Sequence, residues 1–254
     1  MSASPTHAAL VTGAGKRLGA AFARALAEDG WYVVIHYRSS ADEAAEVLAG
    51  IEAAGGRGRL LQADLEQPSE LETVVARAAE GAPPLTLLVN SASLFAKDDA
   101  GAFTIEGWDR NLAVNLRAPT VLARDFAAAL PAGETGSIVN LLDCKVFALN
   151  PDFFSYTVGK VGLLGVTEML AMALAPRIRV NGIAPGITLI SGAQTEESFE
   201  RAHRANPLGR SSTPEDLVRA LRFLVATPSM TGQVVTIDGG QTLQKLPRDI
   251  AYLS

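Results

Sequence analysis

The chain has 254 residues, 48% apolar and 19% charged, and carries a net charge of −5 at pH 7. That is enough chain for one large α/β domain with a well-buried core, and its balance is not that of a disordered protein. A general nucleic-acid or anionic-membrane surface is excluded by the acidic balance, so any anion has to be met by a local cluster of basic groups.

The opening stretch "MSASPTHAALVTG" has no basic segment followed by an apolar core, so no secretory leader is expected. No apolar run reaches the ~18 residues of a membrane span, and no membrane partner is expected. Cys144 has no second cysteine to pair with, which suits a reducing cytoplasm. It reads as a small core residue, with a reactive thiol as the alternative. No metal site is expected.

The first strand, "HAALVTG", runs directly into "TGAGKRLGAAFARAL". Gly13 and Gly15 permit a tight turn and close approach of backbone to a phosphate. Gly19 lets the following helix pack closely on the sheet, while the helix N-terminus offers free N–H groups to a pyrophosphate. Leu18 breaks the strict G-x-G-x-x-G pattern, so this turn alone is weak. The second strand, "WYVVIHY", ends in "RSS". An acid about 20 residues past the glycines usually meets a free ribose 2′-hydroxyl. Here Arg38 and Ser39 stand after His36 and Tyr37, and Lys16 and Arg17 add charge in the turn. A guanidinium beside a hydroxyl suits a phosphate dianion, which points to NADP rather than NAD.

The helical pattern "ADEAAEVLAGIEAAGG" ends in glycines that suit a C-cap, and the strand-like runs "GRLLQAD" and "LTLLVNS" follow. In the helical stretch "WDRNLAVNLRAPTVLARDF", Pro119 comes four residues after Asn115. Its missing N–H and its ring predict a kink that frees the Asn115 carbonyl. The fifth strand, "GSIVNLLD", ends at Asp143, thirteen residues before Tyr156, which is itself four residues before Lys160. At that spacing Tyr156 and Lys160 share one helix face, and the ammonium is expected to favour the phenolate and lower the tyrosine pKa. After the sixth strand, "RIRVNGIAPG", the polar segment 187–212 is expected to be either a substrate lid or a plain surface insertion. "GQVVTIDGG" closes the series. Apolar strands alternating with amphipathic helices predict an α/β fold. The expected architecture is a single doubly wound domain over residues 1–254, with a seven-stranded parallel sheet flanked by helices on both faces.

These features together resemble the short-chain dehydrogenase/reductases along almost the whole chain. The resemblance rests on the turn from Thr12 to Gly19, Asp64 after the third strand, and "NSAS" at 90–93. Asn115, the Tyr156–Lys160 pair, "RVNGIAPG" and "IDGG" complete it. It implies a Rossmann fold and hydride transfer from a nicotinamide, with Asn115, Tyr156 and Lys160 as catalytic residues. Ala63, Asp64 and Leu65 would lie by the adenine. Asn90, Ser91, Ala92, Pro185, Gly186 and Thr188 would line the nicotinamide side, and a homotetramer is implied.

Two departures narrow the subgroup. Arg17 replaces the family's middle glycine, and Asp143 replaces its usual catalytic serine. With "NSASLF", both are similar to pteridine and dihydromonapterin reductases. In those proteins an aromatic at the place of Phe95 stacks on the pterin, which implies substrate contacts from Arg17, Ser93, Phe95, Asp143, Tyr156 and Gly186. A pterin presents ring nitrogens and N–H groups. An ionised Asp143 accepts from such a ring, a protonated one donates, and with Tyr156 it would form a coupled acid pair. The expected function is therefore NADPH-dependent reduction of a dihydropterin to its tetrahydro form. The rivals are a ketone or 3-oxoacyl thioester reductase and a non-catalytic NADP-sensing protein.

Overall fold

A computed structural model describes residues 5–191 and 194–252. Seven strands form one all-parallel sheet: β1 (Ala8–Val11), β2 (Tyr32–Tyr37), β3 (Arg57–Gln62), β4 (Leu85–Asn90), β5 (Gly136–Leu141), β6 (Ile178–Pro185) and β7 (Val234–Ile237). Their order is β3-β2-β1-β4-β5-β6-β7. Each is one of the apolar runs expected to be a strand. The central strands are largely apolar because both faces of the sheet are covered, while β3 at the edge carries exposed Arg57 and Gln62.

On β1 the pleat sends Ala9 and Val11 to one face and Ala8 and Leu10 to the other. The first face packs against α1 (Arg17–Glu28), α2 (Ala41–Ala53) and α9 (Pro214–Ala226) through Phe22, Leu26, Ile51, Leu217 and Leu221. Against the second lie α4 (Val74–Ala79), α6 (Ala118–Ala129) and α7 (Phe154–Leu174), with Val74, Leu122, Phe126 and Ala171 buried. Among the described residues the remaining α-helices are α3 (Pro68–Leu71), α5 (Ile105–Leu112), α8 (Glu196–Arg204) and α10 (Gln241–Gln244). The order reverses between β1 and β4, and a crevice opens there at the strands' carboxyl ends.

Local chemistry sets the helix ends. α2 stops where Gly55, at φ +83°, accepts the left-handed conformation. α9 begins with a reciprocal capping box between Thr213 and Asp216. Ahead of Pro119 the α5–α6 stretch forms a π-turn over Ala113–Arg117, as the missing proline donor demands. α7 is 21 residues long and, by length and composition alone, is apolar enough to cross a bilayer, contrary to the expectation that no run qualifies. It buries Ser155, Tyr156, Lys160, Leu163 and Thr167 and packs along β6, as a core helix of this fold does.

The segment 187–212 is not a structureless insertion. It carries α8, whose exposed face holds the Glu197–Arg201 and Glu200–Arg204 pairs. It is tied down by the Thr188–Ser212 hydroxyl contact of 2.6 Å. Gly192 and Ala193, within the expected lid, lie outside the described residues.

Candidate active site

The glycine turn is held from below. Thr12 accepts at its hydroxyl from the Ser91 and Ala92 N–H groups, both at 3.0 Å, joining the ends of β1 and β4. Gly13, at φ +64°, donates its N–H to His36 Nδ1 at 3.1 Å. That leaves the His36 proton on Nε2, where it is donated to the Ala63 carbonyl at 3.1 Å. Burial pushes the His36 pKa down to about 4. His36 is therefore a strut beneath the turn and offers no side chain to a ligand. Ala63, Leu65 and Asn90, expected beside a cofactor, are likewise buried, and Asn90 donates its amide to Asn140 Oδ1 at 2.9 Å.

Two glycines also admit close packing around the turn. A Cβ on Gly19 would lie 2.2 Å from the Gly13 carbonyl oxygen, so Gly19 lets α1 pack on the turn itself rather than on the sheet. A Cβ on Gly15 would meet Ser40 Oγ at 2.7 Å, so Gly15 also admits the start of α2. No side chain caps α1, and its first turn contains no acid, which leaves its N–H groups facing the cleft. Arg17, in the position where the family has glycine, takes φ +54°. Its guanidinium donates to the carbonyls of Ile190 and Leu189, so it joins the turn to the expected lid.

At the tip of β2, Arg38 and Ser39 are exposed. Arg38 pairs with Glu66 at 2.7 Å, and Glu66 also receives Arg110 at 3.0 Å. Hydrogen bonding from Arg110 is the main reason that the Glu66 pKa lies below the usual range. Arg117 donates to the Glu66 carbonyl at 2.6 Å. Asp64 accepts the Glu66 N–H at 2.9 Å and so shapes the loop after β3. Tyr37 is half-buried against the core.

The catalytic candidates converge at the ends of β5 and β6. Tyr156 donates its hydroxyl to Asp143 Oδ2 at 2.8 Å, and Lys145 donates its backbone N–H to Asp143 Oδ1 at 2.9 Å. Lys160 donates from Nζ to the Leu141 carbonyl at 2.7 Å and sits 5.6 Å from the Tyr156 ring centroid. The expected lowering of the tyrosine pKa is not found. Burial, and next the Asp143 charge, raise it well above its ordinary value. Lys160 instead yields: burial lowers its pKa to about 8. Tyr156 is thus kept protonated and aimed at a carboxylate.

The Asn115 side chain is engaged with the loop after β4. Its side-chain oxygen accepts from Ser93 Oγ at 2.8 Å and its amide donates to the Leu94 carbonyl at 2.8 Å. It pins the loop that presents Phe95. That ring is 44% exposed, so it is not core. It meets Tyr156 edge-on at 4.7 Å and stacks on Phe153 at 4.2 Å. The Asp98 carboxylate in the same loop accepts from the Ser155 N–H at 3.1 Å and from its hydroxyl, capping α7 one residue before Tyr156.

One cleft of about 1020 Å³ connects these groups. Gly13, Lys16, Arg17, Leu18 and Gly19 line one end, and Ser91, Ala92, Pro185, Gly186 and Thr188 the middle. Ser93, Phe95, Asp143, Tyr156 and Lys160 line the rest. Gly15, Arg38, Ser39 and Asp64 lie outside this wall, and Asn115 lies behind it. The sequence reading missed Lys145, Phe153, Arg248, Asp249 and Tyr252, which also line the cleft. Nothing in "CKVFALNPDFF" or "LPRDIAYLS" marks them, because they meet only in the folded chain.

Residues 13–242 match the family model described as enoyl-(acyl carrier protein) reductase. Among solved structures, the chain is similar to the alternative dihydrofolate reductase FolM of Brucella canis, complexed with NADP. The two are 44% identical with a TM-score of 0.89, over 92% of this chain and 93% of that one. The angucycline C-6 ketoreductase LanV, with bound NADP, is 30% identical with a TM-score of 0.85, over 95% of this chain and all of that one. A 3-oxoacyl-[acyl-carrier-protein] reductase of Synechocystis is 30% identical over 96% of this chain and all of its own length.

Proposed function

The chain belongs to the short-chain dehydrogenase/reductase family and is an NADP-dependent oxidoreductase, and we propose that its substrate is a dihydropterin-type heterocycle, reduced to the tetrahydro form. The observation that carries this reading is the 2.8 Å hydrogen bond from Tyr156 to Asp143 beside the exposed ring of Phe95. A hydroxyl–carboxylate pair next to an aromatic face suits a flat heterocycle with both donors and acceptors on its edge. A simple ketone oxygen asks only for donors. The 44% identity to a dihydrofolate reductase points the same way.

The residues fit the cofactor. The uncapped, acid-free start of α1 suits the pyrophosphate, and Lys16 supplies charge beside it. Exposed Arg38 and Ser39 would hold the 2′-phosphate, with Arg38 exchanging Glu66 for it. Ser91, Ala92, Pro185, Gly186 and Thr188 would hold the nicotinamide end. When bound, the cofactor supplies the hydride. Phe95 covers the heterocycle, and Ser93 and Gly186 border it. Arg17 connects the phosphate turn to the lid residues around the same substrate. Tyr156 holds the transferable proton, Asp143 accepts from the ring edge and shares that proton, and Lys160 fixes the face of α7 that carries the tyrosine.

NADPH oxidation by the purified enzyme, with dihydropterins and with acetoacetyl thioesters, tests this reading. Turnover of the thioester alone would favour the 3-oxoacyl reading that the Synechocystis relative raises. Tight NADPH binding without turnover of either would make the protein a sensor. The reading extends to a homotetramer, supported by exposed Met169 and Met172 on α7 and Ile105 on α5, and sedimentation tests it. A buried lone Cys144 fits a reducing cytoplasm.

A further inference from the structure

The cleft has a wall that the proposed chemistry leaves unused. Residues 246–252 run across its Phe95 end, and one carboxylate fastens them. Asp152 is 7% exposed. Its side chain accepts from Arg248 Nε at 2.8 Å, from the other arm of the same guanidinium at 2.6 Å, and from the Asp249 N–H at 2.7 Å. Its carbonyl accepts from Lys145 Nζ at 2.7 Å, and the same ammonium donates to Asp249 Oδ2 at 2.9 Å. The loop after β5, the start of α7 and the C-terminal segment are thereby joined at one point. A forked pair on a buried carboxylate with a further backbone donor is far from an isolated surface ion pair.

The knot also sets an aromatic row. Phe153, next to Asp152, takes φ +54°, and its ring stacks on Phe95 at 4.2 Å on one side and on Tyr252 at 5.9 Å on the other. Tyr252 in turn lies under Lys97 Nζ at 4.9 Å and Arg248 Cζ at 5.6 Å. Resting on the reading that the Phe95 end takes the substrate, we propose that residues 246–252 form a substrate-selecting strap. Asp152 is the positioning residue that holds the strap to the catalytic helix and keeps Phe153 behind Phe95. The partners of Arg248 and Tyr252, namely Asp152, Phe153 and Lys97, lie at the Phe95 end and not in the phosphate turn. Loosening it therefore weakens substrate binding and leaves cofactor binding alone.

The test compares Arg248→Ala, Arg248→Lys and Asp152→Asn with the wild-type enzyme. NADPH Kd, the KM and kcat for a dihydropterin, and hydrogen exchange of the 246–252 amides are measured. Arg248→Ala and Asp152→Asn should raise KM on the order of tenfold, as the loss of one charge-assisted pair implies, with kcat changing much less. Their strap amides should exchange faster while NADPH Kd holds. Arg248→Lys, which keeps the charge without the fork, should recover part of the KM. If Asp152→Asn fails to fold, Arg248→Ala decides alone, since its side chain is 55% exposed and outside the core. An unchanged KM, or an NADPH Kd that rises as much as KM does, overturns the proposal. If the wild-type enzyme turns over a thioester but no dihydropterin, the substrate reading fails, and the same KM split is measured with the thioester. Failure of the substrate reading and failure of the strap are thereby told apart.

Discussion

Tyr156 and Asp143 share a hydrogen bond of 2.8 Å, with the tyrosine buried and its pKa raised, so the hydroxyl is held as a neutral phenol on a carboxylate. Replacing Asp143 with serine should restore the donor pair of an ordinary ketone reductase. Dihydropterin reduction is expected to fall by roughly 10²–10⁴-fold, the contribution of a positioned acid–base group. NADPH affinity should persist, because Asp143 lies away from the phosphate turn. Stopped-flow rates beside a cofactor titration check this. Wild-type rates in the serine variant would make the carboxylate a passenger.

Arg17 adopts φ +54°, which costs an arginine about 1–2 kcal/mol, yet its guanidinium is anchored on the Ile190 and Leu189 carbonyls. Arg17→Gly should relieve the backbone while cutting the link to the 187–212 segment. The melting temperature is expected to hold or rise, while protease cleavage within 187–212 accelerates and the substrate KM increases. A lower melting temperature with unchanged cleavage would show that the arginine serves the fold instead.

The sheet was legible because each strand is an apolar run closed by glycine, proline or a polar residue, a local property. The site was legible where spacing alone carries it, as with Tyr156 and Lys160 on one face of α7. What a fold must first bring together was not. Arg17 reaches its partners across 172 and 173 positions, and Asp152 meets Arg248 across 96. The direction of the Tyr156 shift also escaped the sequence. Spacing shows a cation nearby but not that burial outweighs it, nor that Asp143 is the nearer charge.

Arg38 is paired with Glu66, which Arg110 holds independently. Arg38→Met should therefore remove the 2′-phosphate contact without stranding Glu66. The Kd for NADPH is expected to rise roughly ten- to a hundredfold, as the loss of a charge-assisted hydrogen bond implies, while the Kd for NADH changes little. Calorimetric titration with both cofactors checks the split, and equal losses would remove Arg38 from the phosphate site.

His36 supplies a pH dependence that belongs to the fold rather than to the chemistry. Its Nδ1 accepts from the Gly13 N–H and its Nε2 donates to the Ala63 carbonyl, so protonation would set a second N–H against the Gly13 donor. The folded pKa of about 4 lies below the ordinary 6.5, so between these values the unfolded chain binds more protons than the folded one. The stability linked to His36 is thus fully present above pH 6.5 and is lost progressively as pH falls towards 4. At pH 5 the loss should be on the order of 2 kcal/mol relative to neutral pH. His36→Gln can still accept from Gly13 but has no proton to gain in that range. Urea unfolding of both proteins at neutral pH and at pH 5 isolates the effect. The wild-type protein should lose more stability than the variant over that interval, and parallel losses would show that the ring is not held in its neutral form beneath the turn.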